Sequence, residues 1–150
     1  MNWSNRKSVL LTKACIWLFI AGYLLVLLFC PLLMRNFVRF SYTASRIDYH
    51  LFLVTIYACA LPIGVILFLL NRLIAAIGCG RIFTSENILR LRLISWMCGI
   101  TGLLCLFSML YYLFWGIIGG CMVFMCLLIR VIKNVFVRAK ELKDENDFTI

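Results

Sequence analysis

The chain has 150 residues, 65% of them hydrophobic and 14% charged, with a formal net charge of +9. Its mean hydropathy is +1.03, whereas soluble domains hold roughly 45–50% apolar and about 25% charged residues, so an ordinary soluble globular domain is excluded. A bilayer core of about 30 Å takes roughly 20 apolar residues per helix, so these residues hold about four spans and leave no room for a soluble catalytic domain.

The first uncharged run, Ala14 to Met34, lies between Lys13 and Arg35 and predicts a span over 14–34. It is longer than the roughly 7–15-residue core of a signal peptide and no small-residue cleavage pattern follows, so it reads as a retained helix. The second run lies between Asp48 and Arg72 and predicts a span over 49–71, with Pro62 at its middle. Neighbouring helices can satisfy the carbonyl that such a proline frees. The third run, Leu93 to Ile129, is too long for one span at a rise of about 1.5 Å per residue. It predicts two spans, about 92–112 and 116–137, with the turn inside Tyr111–Gly120. There Tyr111, Tyr112 and Trp115 would anchor at an interface and Gly116, Gly119 and Gly120 would loosen the helix. The expected fold is an all-α integral membrane protein, a compact bundle of four transmembrane helices in a single domain, with 138–150 as a helical tail.

Lysine and arginine decide orientation, because cytoplasmic loops carry the positive excess. With both termini on one side, that side receives twelve basic residues, and the other receives only Arg35, Arg39 and Arg46. Both termini are therefore expected in the cytoplasm. The basic residues flank spans rather than forming a separate face, so the expected partner is the anionic surface of a lipid bilayer and not nucleic acid. Arg130 and Lys133 fall in the last turns of the fourth hydrophobic segment. Interfacial anchoring by snorkelling is the preferred reading over a site for an anionic ligand.

The chemistry of the spans is sparse. Eight cysteines contain no CxxC pair, so clustered thiolates for zinc or iron–sulfur binding are not expected. Cys30 and Cys121 fall near one membrane surface and are a candidate pair, while Cys15 and Cys79 are juxtamembrane candidates for palmitoylation. His50, the only histidine, reads as an interfacial polar residue. No catalytic, cofactor-binding or metal-binding set emerges, and an enzyme is not expected. The spans hold no Asp or Glu, which disfavours a proton-coupled exporter. Ser95, Gly99 and Gly102, with the GxxxG of Gly116 and Gly120, are the expected helix-packing positions. Whether they meet a helix of the same chain or of a second protomer is open, and so is the oligomeric state.

Two polar segments face the expected cytoplasmic side. In the elbow Gly78–Asn87, two glycines break the chain, and Thr84 or Ser85 caps a new helix with Glu86 in its first turn. Glu86 and Arg90 stand four apart in the favourable order. The tail runs from Arg138 to Ile150, basic and then acidic, with an apolar ending at Phe148-Thr149-Ile150. The candidate partner-binding residues are Phe83, Thr84, Glu86, Asn87, Arg90 and Arg92 in the elbow, and Glu141, Glu145, Asn146, Asp147, Phe148 and Ile150 in the tail.

The stretch Gly80-Arg81-Ile82-Phe83-Thr84-Ser85-Glu86-Asn87, with Leu91-Arg92 and the terminal Lys140 to Ile150, resembles the matching segments of a YoaS-like family of small bacterial membrane proteins of unknown function. The resemblance implies a bacterial inner (cytoplasmic) membrane location, and genes of that family often neighbour a small helix-turn-helix regulator. The first functional expectation is therefore a signalling or sequestering protein that holds a cytoplasmic transcription regulator through the elbow and tail. The alternative is immunity or resistance to a membrane-active peptide through Arg35, Phe37, Arg39, Phe40, Tyr42 and Arg46. A transporter or channel subunit comes third.

Overall fold

The computed structural model describes residues 3–40 and 49–148, with side chains over 10–40 and 49–145. Four helices follow one another: α1 (Trp3–Phe40), α2 (Tyr49–Gly78), α3 (Ser85–Ser108) and α4 (Phe114–Phe148). Each contains a stretch long and apolar enough to cross a membrane: Leu10–Phe40, Tyr49–Gly78, Ser85–Ser108 and Phe114–Glu145. The protein is a multi-pass, four-helix membrane bundle. Among the described residues, close backbone packing runs in chain order, α1 on α2, α2 on α3 and α3 on α4. α3 is thus covered on two sides, and 44% of its most apolar window is buried, against 11% for α1 and 6% for α4.

The α1 seam is narrow. Ile16, Ile20, Tyr23, Leu27, Cys30, Met34 and Val38 are its buried or half-buried positions, a spacing of fours and threes that keeps one line of side chains against a neighbour. Leu18, Leu24, Leu28 and Leu32 on the other faces are exposed, as lipid contact requires. Three tyrosine hydroxyls tie α1 to α2. Pro31 lacks the N–H that would bond the Leu27 carbonyl, and Tyr57 donates to that carbonyl at 3.3 Å instead. Tyr49 donates to the Pro31 carbonyl at 3.2 Å. Tyr23 donates to the Ala60 carbonyl at 2.9 Å, passing over Gly64, where a Cβ would sit 3.0 Å from its hydroxyl.

Between α2 and α3 the core is partly polar. Ser108 donates to the Leu104 carbonyl at 2.9 Å, so its oxygen accepts from Thr55 at 3.0 Å. Thr55 in turn accepts from the Tyr111 hydroxyl at 2.8 Å. This one-way chain leaves no buried hydroxyl unpaired, which matters where no water reaches. One turn along α2, the Cys59 and Cys105 sulfurs lie 3.7 Å apart. All eight cysteines are free thiols, and α1 and α4 make no close backbone approach; Cys30 and Cys121 are therefore not joined.

α3 and α4 meet through small residues. Ser95 donates to the Cys126 carbonyl at 3.1 Å. A Cβ on Gly102 would lie 2.9 Å from Val123 Cγ2 and 3.3 Å from the Gly119 carbonyl oxygen, and one on Gly119 would lie 3.0 Å from the Gly102 carbonyl oxygen. Gly99 faces Cys126, with 3.5 Å from its would-be Cβ to the sulfur.

Two expectations about this hairpin are corrected. α3 ends at Ser108 and α4 begins at Phe114, so the turn is Met109–Leu113 and precedes the glycines. It is wound by short-range bonds such as Leu110 N–H to the Phe107 carbonyl and Tyr111 N–H to the Ser108 carbonyl, both 3.3 Å. Among the described residues only Gly80 has a positive φ, so this turn needs no glycine, and Gly116 and Gly119 serve packing instead. The second correction concerns Gly120, which has nothing within 4 Å of a would-be Cβ. The seam runs through Gly116, Gly119, Val123 and Cys126, and Gly120 lies one residue off it. Gly116 itself packs on Met109, whose sulfur would be 2.6 Å from an added Cβ.

The aromatic residues of the turn pack inward. Tyr112 stands edge-on to Phe52 at 5.3 Å and to Phe37 at 6.3 Å, and Tyr111 edge-on to Phe52 at 5.5 Å between centroids. Phe37, Phe52, Tyr112 and Trp115 line a small apolar cavity of about 180 Å³ at this end.

Candidate functional site

The other end of the bundle carries the α2–α3 elbow, and its shape follows from local chemistry. α2 runs past the uncharged stretch to Gly78 and stops because Gly80 adopts φ +77. The Gly80 N–H then reaches the Ile77 carbonyl at 3.0 Å and the Arg81 N–H the Ala76 carbonyl at 3.1 Å, the pairing that closes a helix with a left-handed glycine. Thr84, extended at φ −112 and ψ 151, caps α3 by accepting from the Asn87 N–H. Glu86 adds an acidic group in the first turn, which favours the positive helix end.

Asn87 is the centre of this elbow and is fully buried. Its Nδ2 donates to the Arg81 carbonyl at 2.7 Å and to the Ile82 carbonyl at 2.9 Å. Its Oδ1 accepts from Arg90 at 2.7 Å. Two carbonyls on one side and a guanidinium on the other admit one amide orientation only. Arg90 also bonds Glu86 at 3.0 Å, so the pair expected from spacing is joined to the buried amide. The adjoining depression, about 380 Å³, is lined by Arg72, Arg81 and Arg90 with Thr84, Ser85 and Glu86.

α4 crosses this elbow. Phe83 and Phe136 meet edge-on with centroids 5.4 Å apart, and Lys140 Nζ donates to Ser85 Oγ at 2.8 Å. The elbow and the α4 extension thus form one surface. Phe83, Thr84, Glu86 and Arg90 lie together on it, with Asn87 buried beneath them. Glu141 and Glu145 lie on the exposed α4 extension. Asn146, Asp147 and Phe148 continue the helical backbone, but their side chains fall outside the described residues. Ile150 is outside them altogether, as are Tyr42 and Arg46 of the loop invoked for peptide immunity.

Arg92 separates from the elbow group. It lines a cleft of about 460 Å³ between α3 and α4 with Ser95, Trp96, Arg130, Lys133 and Asn134. Arg130 lies over the Trp96 ring, 5.3 Å from its centroid. The partner-binding set expected from sequence does not include Ser85, Trp96, Phe136 or Lys140. The signal for Lys140 was present, because the seam spacing from Gly119, Val123 and Cys126 continues through Arg130, Lys133, Val137 and Lys140. Among the described residues no cluster of three His, Cys, Asp or Glu side chains could hold a metal ion.

The family described as "Protein of unknown function (DUF2975)" matches residues 9–150. No curated protein and no solved structure matches the chain.

Proposed function

We propose a function for a chain that belongs to the DUF2975 family of proteins of unknown function: it is a non-enzymatic membrane protein that holds a cytoplasmic protein partner on the joined surface of its elbow and α4 extension. The observation that carries this reading is the Asn87 arrangement. A connection that only linked two spans would need no fully buried amide bonded to both elbow carbonyls and to Arg90. Such bonding holds Phe83 and Glu86 in place, and preorganised groups bind with less ordering cost. The excess of Lys and Arg at this end supports a cytoplasmic position for it and for both termini. Glu86 is paired with Arg90 and Asp144 with Lys140, so the surface carries both signs, and the partner, here a small helix-turn-helix regulator, would meet it with a face of mixed charge.

The test is crosslinking in native membranes followed by purification of the intact chain, of a chain ending at Lys140, and of a Phe83→Ala variant. We expect a soluble DNA-binding protein with the intact chain and its loss with both variants. Equal recovery from all three would remove the reading.

A further inference from the structure

The cleft between α3 and α4 is separate from the elbow and gathers its own set of cations. Arg92 closes the α3 end of the uncharged hairpin, Arg130 closes the α4 end, and Lys133 follows one turn later. The helical arms Leu93–Ser108 and Phe114–Ile129 each rise roughly 24 Å at 1.5 Å per residue. With the hairpin turn at one face of a bilayer core of about 30 Å, the three cations come to the headgroup level of the other face.

Simple snorkelling sends long side chains away from the helix contact and along the lipid boundary. Here Arg130 and Lys133 occupy the seam positions after Cys126, and all three cations turn toward one cleft. Arg130 is held across the gap by the Trp96 ring on the neighbouring helix. Among the described residues neither Arg92, Arg130 nor Lys133 has a carboxylate within ion-pair distance, because the described ion pairs are Arg90 with Glu86 and Lys140 with Asp144. Three like charges on one cleft repel one another, and an anion between them removes that cost. Asn134 adds a further polar group, and Ser95 forms part of the wall.

We propose that this cleft binds a phosphate group, supplied by the headgroup of an anionic phospholipid. Arginine meets phosphate with two parallel N–H bonds and lysine as a point charge, so the set matches a phosphodiester with net negative charge. The exposed Leu93 and Leu127 on the same two helices provide an apolar surface along which acyl chains can lie. Basic pockets between spans are a recurring means of headgroup recognition.

The experiment uses the full chain in detergent, with lipid retention read by native mass spectrometry. The probes are dioleoylphosphatidylglycerol, cardiolipin, dioleoylphosphatidylcholine and inorganic phosphate. We expect phosphatidylglycerol or cardiolipin to bind at least tenfold more tightly than phosphatidylcholine. Arg92→Gln combined with Arg130→Gln and Lys133→Gln should bring the ratio below threefold, while Arg138→Gln with Lys143→Gln should leave it unchanged. Phosphate binding that is lost in the triple variant, without a lipid preference, keeps the phosphate chemistry and moves its source to solution. Should the triple variant not fold, Trp96→Leu and Arg92→Gln singly should each weaken anionic lipid binding three- to tenfold. Anionic preference that persists in the triple variant, or in both single variants, overturns the proposal. Partner recovery through the elbow is read separately and does not decide it.

Discussion

Replacing Asn87 by leucine tests the elbow most directly. The two side chains have similar volume, so Asn87→Leu keeps the packing and removes three hydrogen bonds, to the Arg81 and Ile82 carbonyls and from Arg90. A net hydrogen bond contributes about 1 kcal/mol, and a buried partner left unpaired costs about 1–3 kcal/mol. The Arg81 and Ile82 carbonyls lose their side-chain donor, while Arg90 keeps Glu86. The cost therefore falls at about 2–3 kcal/mol, which is roughly 30- to 150-fold in the population of an opened elbow. Hydrogen exchange on the full chain in nanodiscs reads this at the Gly80 and Arg81 amides, which are bonded to Ile77 and Ala76. Asn87→Asp separates the contributions. It retains an acceptor for Arg90 and, when ionised, places a carboxylate oxygen against two carbonyl oxygens, so elbow protection should fall as far as in Asn87→Leu. Exchange within threefold of the parent in the leucine variant, or full protection in Asn87→Asp, would refute the reasoning.

Gly80→Ala should weaken the same amides by about 1–2 kcal/mol, because φ +77 is costly for a residue with a Cβ. Nothing lies within 4 Å of that Cβ, so Gly80→Asn should recover part of the loss in the same exchange experiment. Gly119→Ala should lower stability to dodecyl sulfate unfolding by about 1–3 kcal/mol, since the new Cβ meets Leu106 N and the Gly102 carbonyl oxygen at 3.0 Å. Gly120→Ala faces open space and should be neutral or stabilising by up to about 1 kcal/mol from helix propensity; equal effects at the two glycines would place the seam wrongly. Thr55→Val removes the middle of the Tyr111–Thr55–Ser108 chain and should cost about 0.6–1.7 kcal/mol in the same unfolding assay. No change would mean that the hydroxyls find other partners.

The number of spans and the helix class were legible because charge is so costly in a bilayer that the uncharged runs nearly delimit the helices. Helix ends were less legible. Arg72 ends an uncharged run but not α2, since an arginine at an interface does not break a backbone, whereas Gly80 does. The Met109–Leu113 turn was misplaced because glycine was read as a turn residue, and its two physical uses, positive φ and close approach, cannot be told apart from spacing alone. Within the site, Thr84, Glu86 and Arg90 followed from capping and i,i+4 rules, which are local. Phe83 against Phe136 and Lys140 on Ser85 lie 53 and 55 positions apart, and only the α3–α4 register brings them together. Arg92 was grouped with the elbow by proximity in sequence, yet its helical position turns it to α4.

The order of packing limits how a disturbance reaches the elbow. The α1 backbone approaches α2 alone, and α1 meets the α3–α4 turn through Phe37 against Tyr112. Motion of α1 therefore passes chiefly through α2, by the bonds of Tyr23, Tyr49 and Tyr57 to backbone carbonyls, with the Phe37–Tyr112 contact as a second, smaller route. Interhelical hydrogen bonds in membranes average only about 0.6 kcal/mol each, and α1 adds a narrow seam with most of its surface toward lipid. The α2–α3 pair is held more firmly, by the Thr55–Ser108–Tyr111 chain near one end and by the Asn87-bonded elbow at the other. Any signal that alters binding at the elbow must favour one of two packings over the other. The contact with least energy opposing such a change is α1 on α2, while the elbow, with α4 fixed across it by Phe136 and Lys140, moves with α2 and α3 as one body.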